Sequence, residues 1–389
     1  MPLRSSINRI LLIGREVGPL AKQIKKSYPD MKIGSVDILG NLDTRNSVES
    51  AFSVVKQTPG ESFEREKVRS DLDLLYELAL IMLDEEDFDI LIPLMPFNSN
   101  PEYLRSLSDK IKLPIVDLKT LEKTSSPWKF LSHLTRSDPI LSSRHEIIKF
   151  EEISNRKGAE GLFVTSIGNF HLNRNKFPTD NSPKPEEGFF LPTKEIHCAA
   201  FYSTSEMISN IGVQTIGPSS NHTLFYNEVE KNAYLPFHSA LTVSISKIIE
   251  NLINIIRQEQ LTGFLTLFFG INEKNVVPIS CNSIPDEKID LWTTKTVNNL
   301  IPSLIDPSKN NSPIKSKKVF GYKCPIFTSH SIKVPKIPED LAEQRNLPGV
   351  YNSVEYPVCT IKNFSDDVTD LSRKLELNMN QIHKILSHL

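Results

Sequence analysis

The stretch that most limits what this chain can fold into is residues 263–282, GFLTLFFGINEKNVVPISCN. Two apolar runs rich in aromatic and β-branched residues flank a polar turn, which reads as strand, turn, strand. Residues 241–261 lead straight into it. They carry Ile245, Ile248, Ile249, Leu252, Ile255 and Ile256 at the spacing of one helix face. The hairpin closes on an isolated Asn282. The only acid in these twenty residues, Glu273, falls in the turn.

The chain opens on a different pattern. Residues 7–13 (INRILLI) form a continuous apolar strand that runs into Gly14, Glu16 and Gly18, then a helical run at 20–28 and a second strand at 31–37. Strand, helix, strand at this spacing begins a parallel sheet. A helix at 70–84, a strand at 88–93, a helix at 101–111 and a short fourth strand at 114–117 complete an open α/β unit. Ser126 and Pro127 start another helix as N-cap and first-turn residue, with Trp128, Leu131 and Leu134 on one face. Short strands follow at 147–150, 161–166, 196–202 and 207–215, and the three prolines of 173–188 mark a loop. A polar linker at 306–318 precedes strands at 321–328 and 354–362 and a closing helix at 366–388. The expected domains are 1–120, 121–195, 196–310 and 311–389, with no internal repeat.

Composition narrows the function classes. A length of 389 residues, 39% hydrophobic and 24% charged, fits two or three ordinary globular domains. The net charge of -2 gives no pull toward nucleic acid, and no apolar run is long enough to span a bilayer. Cys198, Cys281, Cys324 and Cys359 are scattered without a CxxC pair and read as buried reduced thiols, so a cytoplasmic location is expected. Local motifs are weak. Gly14-xxx-Gly18 with Asp37 lacks the G-x-G-x-x-G spacing of a dinucleotide turn. The nine histidines show no metal-ligand spacing; His197 reads as structural, and His222 as a residue in a turn. Ser203, Ser205 and Ser209 lack a nucleophile's elbow, and the basic stretch 315–336 reads as a solvated hairpin.

Four segments together resemble the ATP-grasp superfamily, and most closely its archaeal-type predicted ATP-dependent carboligase group, related to biotin carboxylase. They are residues 10–45, with the run Val36, Asp37, Gly40, Asp43 and Arg45; residues 196–218, ending GVQTIGP; residues 252–282; and residues 349–361, with PVCT. The resemblance implies a Rossmann-like pre-ATP-grasp domain at 1–120, a reduced lid lobe at 121–195, a core lobe at 196–310 and a small C-terminal β-rich segment with a terminal helix. It also implies formation of an acyl phosphate from ATP and a carboxylate, with Mg²⁺ held by hard oxygen ligands.

The parts that chemistry needs are altered here. The family's first metal acid aligns with Phe268. Its E-x-N run becomes Ser280-Cys281-Asn282, leaving Asn282 alone, with Asp286 and Glu287 as possible substitutes. The lid strand at 161–166 has no Lys, and Gly168 is followed by Asn169, Phe170 and His171 instead of a Gly-rich loop; Arg174 and Lys176 come later, in a polar loop. At the hinge, Lys194 and Glu195, with Asn282, are the implied nucleotide contacts. The catalytic residues are left unknown by this reading. The expectation is an impaired member, a pseudoenzyme binding Mg·ATP weakly or not at all and serving an unknown protein partner or a paralogous ligase. The alternative is an active carboxylate–amine ligase with displaced ligands.

Overall fold

The computed structural model describes residues 7–55, 57–61, 72–137, 146–149, 152, 161–165, 168–172, 187–191, 196–218, 232–236, 245–272, 275–286, 289–296, 300–307, 313–315, 319–328, 330–352 and 357–387. Two compact units result. One comprises Met1–Ile115, Gly217–Pro236 and Ile284–Leu389, the other Val116–Ile216 and Phe237–Ser283. Among the described residues no helix is long and apolar enough to cross a membrane.

The first unit begins with β1 (Arg9–Gly14), α1 (Gly18–Ser27), β2 (Lys32–Asp37), α2 (Leu42–Arg45), β3 (Ser50–Ser53), α3 (Leu72–Glu85), β4 (Ile90–Pro93) and α4 (Pro101–Ser108). Its sheet is parallel, in the order β3-β2-β1-β4. Strand β3 (SAFS) is too short and polar to stand out in the sequence; pairing with β2 makes it a strand. The fourth strand expected at 114–117 does not form. Ile90 makes a single bridge to Lys112, and Asp117 instead caps the next helix through the amides of Lys119 and Thr120. The Val36–Arg45 run is structural. Asp37 is buried and accepts from the Thr44 hydroxyl at 2.8 Å and from the amides of Glu16 and Leu39, both at 3.1 Å. Gly40 has φ +52°, and a Cβ there would lie 2.6 Å from that of Ser53, so only glycine fits. Arg45 Nε donates to the Gly40 carbonyl.

The second unit contains α5 (Leu118–Thr124), α6 (Pro127–Ser137), β5 (Glu146–Lys149), β6 (Gly161–Thr165), β7 (Gly168–Leu172), β8 (Glu187–Leu191), β9 (Ile196–Ser203) and β10 (Ile208–Pro218). After β11 (Asn232–Pro236), assigned to the first unit, come α7 (Ile245–Gln258), β12 (Gly263–Asn272) and β13 (Asn275–Asn282). One antiparallel sheet has the order β5-β8-β6-β7, and the other includes β10-β9-β12-β13. The Lys129 amide donates to Ser126 Oγ, as the N-cap reading requires. Leu131 and Leu134 of α6 and Ile248, Leu252 and Ile256 of α7 pack with Ala199, Phe201, Leu265, Leu267, Phe269, Ile279 and Cys281 in one core. Gln260 (φ +52°), two residues past its end, stops helix α7. The Leu261 amide donates to the Ile256 carbonyl and the Gln260 amide to that of Arg257.

The rest of the first unit is α8 (Ile289–Lys295), α9 (Leu300–Ile305), β14 (Phe320–Ile326), β15 (Ile332–Lys333), β16 (Tyr351–Asn352), β17 (Cys359–Ser365) and α10 (Val368–Ser387). The expected solvated hairpin at 315–336 is corrected here. β14 pairs with β17, β15 pairs with β16, and Lys323 is buried. It faces the fully buried Asp290 at 3.5 Å. Lys362 bonds Asp290 at 2.6 Å and Glu343 at 2.7 Å. Burial pushes the Asp290 carboxyl up, and the two lysines outweigh it, so it stays ionised below the usual Asp range. A second buried carboxylate, Asp43, accepts from the Arg345 amide at 2.8 Å, from its Nη2 at 3.0 Å and from Lys22 at 2.8 Å. All four cysteines are free and buried, as expected, with burial pushing Cys324 up to about 11.

Asp43→Asn keeps the shape and removes the charge opposite Arg345. It should cost about 3 kcal/mol in urea unfolding at pH 7. Burial favours the neutral Asp43, but Arg345 and Lys22 outweigh it and depress the folded pKa. The wild-type advantage is therefore complete above the unfolded pKa of about 4 and shrinks as pH falls through the lower folded value. An advantage constant from pH 7 to pH 2 would show that the charge contributes nothing.

Candidate functional site

Strand β12 lies between β9 and β13, and its register on both sides defines the candidate site. Thr266 is opposite Asn282 and Phe268 opposite Ser280. A bulge then pairs Phe269 with Pro278 and leaves Ile279 as the extra residue. On the other side Phe264, Thr266 and Phe268 oppose Tyr202, Ala200 and Cys198. Strand β10 adds Ser209, Gly212 and Gln214 to those rows.

Successive side chains of a strand point to opposite faces. Residues 199, 201, 265, 267, 269, 279 and 281 face the core shared with α6 and α7. The other face is a grid of cross-strand rows. One row reads Ser280, Phe268, Cys198, Gln214; the next reads Asn282, Thr266, Ala200, Gly212; the third reads Phe264, Tyr202, Ser209. Phe268, Ser280 and Asn282, where the sequence resemblance implies metal positions, are thus neighbours on one face. No carboxylate, ammonium or guanidinium stands in any of these rows.

The polar groups of the face are neutral. Cys198 Sγ donates to Gln214 Oε1 at 3.8 Å. The Thr266 hydroxyl is buried beside Asn282 without a hydrogen-bond partner among the described residues. Asn282 and Ser280 are half-buried. Mg²⁺ is held by carboxylates, water and phosphate oxygens in near-octahedral geometry, and an amide with two hydroxyls supplies no charge to offset its dehydration. These residues do not fit the ion. Among the described residues no group of three or more His, Cys, Asp or Glu is placed to hold a metal.

Asp286, a possible substitute ligand by the sequence, is buried in the first unit, and its carbonyl accepts from the Ile289 amide at the start of α8. Lys194, Glu195 and Glu287 lie outside the described residues, as do Arg174, Lys176 and His222. In the lid, Gly168–Leu172 forms β7 and pairs along its length with β6, so its amides serve a sheet edge. His197 lies on the core face with its ring 5.4 Å from that of Phe269. Burial lowers its pKa to about 4, leaving a neutral imidazole. Sequence reading missed Thr266, Cys198 and Gln214, which enter the site only through pairing with Asn282 and Phe268. Strand alternation was the one signal pointing to Thr266.

No protein-family model and no curated protein sequence matches the chain. Solved structures do. The chain is similar to biotin carboxylase from Campylobacter jejuni, crystallised as a β,γ-ATP complex, at 11% identity over 96% of this chain and 91% of that one, with a TM-score of 0.67. It is similar to the biotin carboxylase domain of 2-oxoglutarate carboxylase from Hydrogenobacter thermophilus, crystallised with MgADP, ADP and bicarbonate, at 10% identity, 93% and 86% coverage and a TM-score of 0.64. It is also similar to L-amino acid ligase from Bacillus licheniformis at 12% identity, 97% and 98% coverage and a TM-score of 0.64. The parallel sheet and the antiparallel sheets of this chain form the ATP-grasp fold.

Installing Phe268→Glu with Ser280→Glu would place two carboxylates directly opposite each other. Without divalent cations the double variant should lose about 1–3 kcal/mol, through like-charge opposition and lost packing of the Phe268 ring. Millimolar Mg²⁺ should raise its melting temperature and leave the wild type unmoved. An equal Mg²⁺ response in both proteins would count against this register.

Proposed function

We propose that this chain is an ATP-grasp-fold protein of the carboligase-related, archaeal type whose core lobe no longer holds metal for phosphoryl transfer, and that it acts as a binding or scaffolding member. Its partner is another protein or a paralogous active ligase. One observation carries the reading: the sheet face bearing Phe268, Ser280 and Asn282 has no charged side chain in its rows. Phosphoryl transfer in a site of this kind rests on charge stabilisation of the transferring group by metal ions and cations. Each such contact is worth several kcal/mol in the transition state, so losing the acids together removes most of the catalytic advantage. A neutral Asn282 can still orient a ligand by hydrogen bonding. The buried free thiols support a reducing, cytoplasmic setting for the same role.

Calorimetric titration with Mg·ATP tests the reading. The expected result is no saturable binding at micromolar nucleotide and no release of ADP when carboxylates and amines are supplied. Micromolar affinity together with ADP formation would establish the active carboxylate–amine ligase with displaced ligands instead. Purification from the native host, followed by identification of what accompanies the chain, tests the scaffolding half. A chain that elutes alone at its own mass would reject a stable partner.

A further inference from the structure

The second unit carries a cavity of about 430 Å³ between the β9–β10 turn and the C-terminal end of α7. That volume falls within the range of about 300–1,000 Å³ common to small-molecule sites. Two short segments build it. On one side, the Thr204 hydroxyl accepts from the amides of Glu206 and Met207 and fixes the turn. On the other, the end of α7 closes through Gln260, held at φ +52°, which a non-glycine residue rarely adopts. Thr262, next along, is tied to Asp117 and Thr120 at 2.9 and 3.0 Å. Both walls are therefore set before any ligand arrives.

The lining sorts by chemistry. Met207 and Ile208 are half-buried and form its apolar wall, with Ile256 and Leu261 buried beneath it. Glu206 and Arg257 are its only charged residues. Both are exposed, and neither forms an ion pair with the other or with any other described residue. A carboxylate and a guanidinium with no ion pair among the described residues, beside an apolar wall, match a molecule carrying both charges and an apolar substituent. Arg257 offers a planar fork suited to a carboxylate. Glu206, together with the carbonyl end of α7, favours an ammonium group.

We infer that this cavity binds a free α-amino acid with an aliphatic side chain, its carboxylate on Arg257, its ammonium on Glu206 and its side chain against Met207 and Ile208. The inference uses no residue of the β12–β13 face and holds whether or not that face turns over ATP. Calorimetry of the full chain with leucine, leucine amide and N-acetyl-leucine tests it. Leucine should bind saturably, and both blocked forms at least about tenfold more weakly, since each loses one charge-assisted contact. Arg257→Ala should weaken leucine by a similar factor while leaving leucine amide unchanged; Glu206→Gln should weaken leucine and leave N-acetyl-leucine unchanged. Both side chains are exposed, so the variants should keep the wild-type fold. Absence of leucine binding at millimolar concentration, or leucine affinity indifferent to both substitutions, would overturn the inference. N-acetyl-leucine binding as tightly as leucine would identify a peptide C-terminus as the ligand and overturn it equally.

Discussion

The pairing of β12 with its two neighbours is the constraint on which the second unit depends. Once Leu265, Leu267 and Phe269 are committed to the core under α6 and α7, alternation sends Phe264, Thr266 and Phe268 to the opposite face. A slip of one residue would turn the aliphatic core onto the other face, so the identity of that face is not adjustable. The bulge after Phe268 keeps Ser280 and Asn282 on that face while Ile279 and Cys281 stay in the core. The neutral character of the site and the integrity of the core thus follow from one register.

The contrast with the first unit is instructive. There the chain does bury charge, and two of its buried carboxylates are each matched by two cations. Asp290 has Lys323 and Lys362, and Asp43 has Arg345 and Lys22. The Asp43 cluster ties the N-terminal part of the chain to Arg345 of the C-terminal segment, and the Asp290 cluster ties α8 to β14 and β17. Saturated clusters of this kind have little left over for a ligand. Charge in this protein is used to close the fold, whereas the face that in the resembled family carries metal acids has none.

Much was legible in the residues alone. Helical periodicity at 241–261 and the apolar runs at 263–282 located α7, β12 and β13 to within a few residues, and Ser126-Pro127 placed the start of α6. Each of those signals is local. The absence of acids at 268 and 280 is also a property of the sequence, whatever the fold does. Strand β3 and the failed strand at 114–117 were not legible, because four-residue segments take their state from a neighbour and not from their own pattern. The buried state of Lys323 and Asp286 was equally hidden, since a charged residue reads as solvated until its surroundings are known.

The sequence by itself determined the order of helices and strands and the chemical inventory, through side-chain periodicity and residue identity. Only the tertiary structure decided which strands became neighbours, so that Phe268, Ser280 and Asn282 share a face with Cys198 and Gln214. It alone brought residues 1–115 and 284–389 into one unit, and set Glu206 and Arg257 beside the same cavity. The physical reason is that long-range pairing is selected by burial of whole faces, and a face exists only after its strands and helices have met.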